Sequence, residues 1–125
     1  MVMAVKAVQF FTKDEEALAD ILIGIGIKRN VAKVLVFLAN SSEATSRDIE
    51  RGTDLRQPEV SLAMRYLAKQ GWLSSRDKRS ENKGRPQKIF NLSKPVPEIM
   101  RRIEKEKKRE AANRLALVQR LHEFV

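Results

Sequence analysis

The chain has 125 residues, of which 42% are apolar and 33% are charged, and this length and composition are typical of one globular domain. Twenty-five lysines and arginines against 16 acidic residues give a net charge of +9, which indicates an anionic partner, most often nucleic acid and less often a membrane surface. Without cysteine there is no disulfide, thiol switch or cysteine-based zinc site, and the single histidine, His122, argues against a metal centre or a catalytic triad. No apolar run reaches the length of a membrane span and no signal peptide is recognisable. We therefore expect a cytoplasmic protein that is not an enzyme and that has no membrane partner, cofactor or metal.

Two amphipathic helices are predicted in the first third of the chain. Thr12 precedes three acidic residues and is a candidate N-cap. The first helix then has apolar residues at helical spacing and ends at the two glycines Gly24 and Gly26, a Gly-Ile-Gly segment that we interpret as a turn rather than as a phosphate loop. These apolar positions are Leu18, Ile21, Leu22 and Ile25. The second helix covers residues 29–40, and its broad apolar stripe, widened by Val36 and Phe37, predicts a central position.

Two shorter helices are predicted next. Thr45 and Asp48 have the spacing of a capping box and begin a helix over residues 46–51, with Gly52 expected just beyond its end. A turn over residues 53–56 leads into a helix over residues 57–70, with Pro58 in its first turn and Gly71 after its last. Its predicted buried face consists of Val60, Ala63, Met64 and Leu67.

The remaining elements are two strands and a long helix. Residues 72–75 begin an extended segment, residues 77–87 form a polar loop, and residues 88–92 form a strand. We interpret Trp72 and Phe90 as core residues of this small sheet rather than as platforms on which single-stranded bases stack. The last helix, residues 97–123, spans about 40 Å at about 1.5 Å per residue, which exceeds the diameter of so small a core. Its middle is charged and its end is apolar, so we expect it to leave the domain and to need a partner.

The basic charge is concentrated in residues 56–88, which contain nine basic and three acidic residues. Two segments in and beside this region carry a resemblance. TSRDIERGTDLRQPEVSLAMRYLAKQGWL, residues 45–73, resembles the helix-turn-helix of the MarR, ArsR and TrmB-like regulators of bacteria and archaea. KGRPQKIFNLS, residues 83–93, resembles the end of their wing and its second strand. The resemblance covers about residues 28–93.

The resemblance implies a mainly α fold with a small β-wing (α+β). Residues 1–27 would be an N-terminal helix, residues 28–94 a winged helix-turn-helix domain, and residues 95–125 a dimerisation helix. It also implies a sequence-specific regulator that binds double-stranded DNA, with the helix over residues 57–70 in the major groove and the wing on the backbone or in the minor groove. The candidate DNA-binding residues are Arg47, Arg56, Gln57, Ser61, Arg65, Arg76, Lys78, Arg79, Lys83 and Arg85.

Within this set, Gln57 suits adenine, Arg65 suits guanine or phosphate, and Arg85 suits a narrow minor groove. Most of the others suit phosphates. Leu62 and Tyr66 are left open as contacts, with Leu62 able to meet a thymine methyl. Glu59 would be repelled by phosphates unless it accepts from cytosine or caps the helix.

The family commonly dimerises through helices outside the winged domain, and a homodimer suits a palindromic operator. The candidate dimerisation residues are Leu115, Val118, Leu121 and Phe124, and the N-terminal helix is a further candidate. Two alternatives remain: an architectural, chromatin-type DNA-binding protein with little sequence choice, and a winged helix that serves as a protein-interaction module. A small-molecule effector is left open.

Overall fold

The computed structural model describes residues 12–78 and 86–125, which fall in two compact units, Met1–Lys94 and Pro95–Val125. In the first unit the described residues form four helices and one antiparallel pair of strands: α1 (Lys13–Gly24), α2 (Arg29–Ala39), α3 (Ser46–Thr53), α4 (Gln57–Gln70), β1 (Leu73–Lys78) and β2 (Gln87–Leu92). The second unit consists of α5 (Val96–Gln119) and a 3₁₀ helix (Arg120–Phe124).

The predicted start and end of α1 are confirmed. The Thr12 hydroxyl accepts from the Glu15 N–H at 3.1 Å, and the Glu15 carboxylate accepts from the Thr12 N–H at 2.7 Å. This reciprocal pair satisfies two N–H groups that the first turn leaves without helical partners. The helix ends at Gly24, and Gly26 adopts a positive φ of 106° in the turn that follows.

Helix α2 is central, as its broad apolar stripe predicts. Six of its eleven residues are buried, and α1, α3 and α4 all pack against it. These buried residues are Val31, Ala32, Val34, Leu35, Val36 and Leu38.

Helix α3 begins as predicted but ends later. The Thr45 hydroxyl accepts from the Asp48 N–H at 3.1 Å, and Ile49 is fully buried. The prediction that Gly52 ends the helix is wrong, because Gly52 lies inside α3 and Asp54 adopts the left-handed conformation, with φ 59°. Gly52 is required by packing instead, since a Cβ there would lie 2.0 Å from Cε1 of Phe37.

The turn after α4 and the small sheet follow from Gly71 and Trp72. Gly71 adopts φ 82°, which ends the helix as predicted, and Trp72 is buried. The strands pair from Leu73 with Leu92 to Lys78 with Gln87, so residues 77, 78 and 87 belong to strands and not to the expected loop. The most buried residue of β2 is Ile89, whereas Phe90, expected in the core, is only half-buried.

Phe90 has a backbone role in the sheet. It forms an isolated bridge with Ala44, in which the two residues exchange N–H···O bonds of 2.8 and 2.9 Å. The segment before α3 thereby lies along the outer edge of β2.

The second unit begins with the predicted long helix, which ends at Gln119 and is followed by the 3₁₀ helix from Arg120. In the charged middle of the helix, side chains one turn apart form ion pairs. They include Lys108 with Glu104 at 2.8 Å, Lys107 with Glu110 at 3.1 Å, and Arg109 with Glu106. Such pairs stabilise an exposed helix only weakly, because water and salt screen the two charges.

Candidate nucleic-acid interface

Helix α4 has one buried face and one exposed face, as its apolar spacing predicts. Val60, Ala63, Met64 and Leu67 are buried, and the helix packs against α2, α3 and β1. Because residues three and four apart share one side of a helix, this stripe fixes the opposite side toward solvent. The orientation of the exposed side is therefore determined by the packing of the buried side in the core.

Three predicted contact residues lie outside the buried stripe of α4. Gln57 and Arg65 are exposed, and Ser61 is half-buried. Because they are four residues apart in sequence, the three side chains lie one turn apart along one side of the helix. The Gln57 Nε2 donates to the Ser61 Oγ at 2.8 Å, which restricts the rotation of the Gln57 amide. Gln57 therefore presents its remaining amide groups in a preferred orientation.

Glu59 caps α4. Its Oε1 accepts from the Arg56 N–H at 3.0 Å, and its carbonyl oxygen accepts from the Asn30 side chain at 3.1 Å. A carboxylate in the first turn is also stabilised by the positive end of the helix dipole. Of the three interpretations that the sequence left open for this residue, the structure favours capping.

Arg47 and Arg56 are both exposed. Arg47 lies in the first turn of α3, and Arg56 is the residue before α4. Between the two helices, Leu55 is buried at 5% exposure, and this fixes the short turn against the core. Arg47 thus lies on the first helix of the predicted motif, and Arg56 lies at the end of the turn that leads into the second.

The described part of the wing is its base. Arg76 and Lys78 are exposed on β1. The Arg76 Nη2 forms an ion pair of 2.7 Å with Oε2 of Glu43. Three predicted wing contacts, Arg79, Lys83 and Arg85, lie outside the described residues.

Sequence reasoning missed Glu43. Its partner Arg76 is 33 residues away, and the two meet because Ala44 bridges to β2 while Arg76 lies on β1 across it. No local pattern carries a signal for such a contact. An exposed ion pair of this kind contributes about 0–1 kcal/mol, so Glu43 holds the Arg76 guanidinium only weakly.

The apolar end of the second unit is exposed. Every residue from 111 to 125 is exposed, and the four predicted dimerisation residues are more than half exposed: Leu115, Val118, Leu121 and Phe124. Leu117 and Val125 extend this apolar end. Isolated exposed leucines are ordinary, but six exposed large apolar residues between positions 115 and 125 form an extended apolar segment.

The ion pair between Glu104 and Lys108 in α5 shifts the pKa of both side chains. A hydrogen bond from the Lys108 ammonium, together with its positive charge, lowers the pKa of the Glu104 carboxyl below its ordinary value. The same hydrogen bond and negative charge raise the pKa of Lys108.

Within residues 12–78 and 86–125, no three histidine, cysteine or acidic side chains come close enough together to hold a metal ion. In the same residues, no helix is both long and apolar enough to cross a bilayer. His122 is exposed in the 3₁₀ helix.

Two helices joined by a short turn, followed by an antiparallel pair of strands, form a winged helix-turn-helix, and the expected mainly α fold with a small β-wing is confirmed. Solved structures with the same fold include a possible transcriptional regulator from Methanosarcina mazei Go1, with 18% identity, a TM-score of 0.56, and coverage of 90% of this chain and 88% of that one.

A MarR family regulator from Neisseria meningitidis is 18% identical, with a TM-score of 0.51 and coverage of 87% and 86%. NadR in complex with 4-hydroxyphenylacetate is 19% identical, with a TM-score of 0.53 and coverage of 90% and 86%. A comparison with family models gave no match, and a comparison with curated proteins gave none either. The chain therefore has the fold of MarR-type regulators. The sequence identities to these structures are low, so the comparison establishes the fold alone.

Proposed function

We propose that this protein is a transcriptional regulator that binds double-stranded DNA at specific sequences as a homodimer. The observation that carries the proposal is the exposed side of α4, which presents Gln57, Ser61 and Arg65 from a helix whose other side is locked in the core. A helix of this kind fits the major groove of B-DNA. The role is one of binding, not of catalysis, and its site of action is the cytoplasm.

Two kinds of contact are proposed. Residues of α4 read base edges, whereas Arg47, Arg56, Arg76 and Lys78 neutralise phosphates and set the orientation of the protein. Arg79 and Lys83 are proposed to bind phosphates as well, and Arg85 is proposed to enter the minor groove. In this assignment residues 28–94 bind DNA and residues 95–125 join the two copies.

The homodimer is supported by the apolar end of the second unit. Leu115, Val118 and Leu121 lie one turn apart, which is the spacing of a helix side that packs on another helix. A two-fold dimer buries the same side of both copies and matches a palindromic operator. Sedimentation at micromolar concentration should give twice the mass of the chain, and Leu121→Glu should give a monomer that keeps its helical content.

A small-molecule effector is a further part of the proposal. NadR, with which this chain shares its fold, was solved with 4-hydroxyphenylacetate. Thermal unfolding in the presence of small aromatic acids would detect such a ligand, since a compound that binds only the native state raises Tm.

The decisive experiment is the selection of bound sequences from a random duplex library at physiological salt. A regulator should enrich a two-fold-symmetric motif and prefer it over random DNA by roughly a thousandfold or more. Retention of DNA without enrichment would favour an architectural protein, and no retention would favour a protein-interaction module. On the selected site, Arg65→Ala should reduce sequence preference, whereas Lys78→Ala should weaken binding to all duplexes and lower the salt dependence.

A further inference from the structure

Leu62 is an apolar residue on the outward side of α4. It is 55% exposed, whereas Val60, Met64 and Leu67 of the same helix are at most 8% exposed. Leu62 lies opposite the buried stripe, and Lys69 is exposed two turns further along the same side. An exposed leucine on the same side of a helix as a cationic side chain suits a surface that is anionic at its edges and apolar at one point. The major groove of DNA is such a surface at a thymine, where a methyl group lies between the phosphate backbones.

Gln57 lies in the first turn of the same helix, and a hydrogen bond restricts the orientation of its side-chain amide. One hydrogen of Nε2 is donated to the Ser61 Oγ at 2.8 Å. The other hydrogen of Nε2 and the oxygen Oε1 can then face outward together. Adenine presents the matching pair in the major groove, because its N7 accepts and its N6 amino group donates. Ser61 acts here as a positioning residue that reduces the rotational freedom lost on binding.

We propose that the first half of α4 reads A·T base pairs, with Leu62 against the methyl group of a thymine and Gln57 on an adenine. The inference rests on the proposed function, since it requires α4 to lie in the major groove. The two residues are five positions apart in the sequence, which corresponds to about 7.5 Å along the helix axis. Base pairs are about 3.4 Å apart, so the two positions lie within about two steps of each other.

The test uses the selected operator and single-atom changes in its bases. Deoxyuridine in place of each thymidine removes only the methyl group. At one position per half-site the wild-type protein should lose affinity about fourfold, the value of one buried methyl-sized group. Leu62→Ala should bind the two duplexes equally. Lys69→Ala is the matched control on the same side of the helix, and it should weaken binding to every duplex while keeping the deoxyuridine effect.

The adenine contact is tested in the same way with 7-deazaadenine, which replaces the N7 acceptor by a C–H group. The wild-type protein should lose affinity roughly fivefold or more at one position. Gln57→Ala should be insensitive to this change, and Ser61→Ala should show a smaller preference than the wild type, with unchanged helical content.

The two failures are distinguishable. If the protein selects an operator but no thymine or adenine position responds, the A·T assignment is overturned and the regulator stands. If Leu62→Ala retains the full deoxyuridine effect, the leucine is not the reader of the methyl group. If no duplex is retained at all, the proposed function itself fails.

Discussion

Replacing Gly52 by alanine tests why a glycine stands inside α3. A Cβ at this position would lie 2.0 Å from Cε1, 2.4 Å from Cδ1 and 2.9 Å from Cζ of Phe37. Favourable carbon–carbon contacts are about 3.5–4.0 Å, so the ring and the helix must separate by about 1.5 Å. The glycine is thus needed for the close approach of α3 to α2.

The magnitude follows from two opposing effects. Overpacking of this kind costs about 1–3 kcal/mol. Alanine in place of glycine within a helix returns about 1 kcal/mol at most. Since Phe37 is half-buried, its ring can move partly toward solvent. We therefore expect Gly52→Ala to lower the free energy of unfolding by about 1–2 kcal/mol.

Urea unfolding followed by circular dichroism measures this loss. Gly24→Ala is the matched control, because a Cβ there would meet no atom within 4 Å and φ is not positive. It should be neutral or stabilising. The double variant with Phe37→Leu should lose less stability than the two single variants add up to, because the smaller side chain relieves the contact. A Gly52→Ala protein as stable as the wild type, or strict additivity in the double variant, would refute the steric explanation.

Three further predictions concern single interactions. Thr45→Ala removes the hydroxyl that caps α3 and should cost about 1 kcal/mol in urea unfolding, with Thr45→Ser close to wild type. Glu43→Gln releases Arg76 from its ion pair, so the affinity for any duplex should increase. That affinity should also decrease more steeply as the salt concentration is raised, and fluorescence anisotropy would detect both changes. Lys108→Ala should return the pKa of Glu104 to its ordinary value in an NMR titration. Because that pKa is lowered in the folded chain, the stability from this pair is present above the ordinary pKa of a glutamate and is lost as pH falls through the lowered value.

Several helix ends could be predicted because caps act over a few residues. The hydroxyls of Thr12 and Thr45 reach N–H groups three residues on, and Gly71 takes the left-handed conformation directly after α4. The buried faces of α2 and α4 were equally predictable, since apolar residues three and four apart share one side of a helix. The face predicted for α1 was wrong in part, because only Leu22 of its four apolar positions is buried and Ile21 is 61% exposed. The outward side of α4 follows from these local rules, whereas the fold class followed from the family resemblance.

The contacts that sequence reasoning missed join residues distant in the chain. Gly52 is 15 positions from Phe37 in the sequence. The sequence predicted that it ends the helix, because glycine is common in the left-handed conformation just after a helix. The pairing of β1 with β2 extends the strands to residue 78, past the point where alternation of apolar residues ends. Once two strands are aligned, backbone hydrogen bonds continue without apolar side chains.

Glu59 shows how a local cap changes the interpretation of charge on a surface. An acidic residue on a helix proposed to approach phosphates is unfavourable if each charge is counted alone. In the structure its carboxylate accepts from the Arg56 N–H, and it faces the unsatisfied N–H groups of the first turn. The negative charge is therefore partly balanced by the helix itself, and using Glu59 to read cytosine would break the cap. The acid thus supports the helix that presents Gln57 and Arg65, and this is compatible with the basic charge around it.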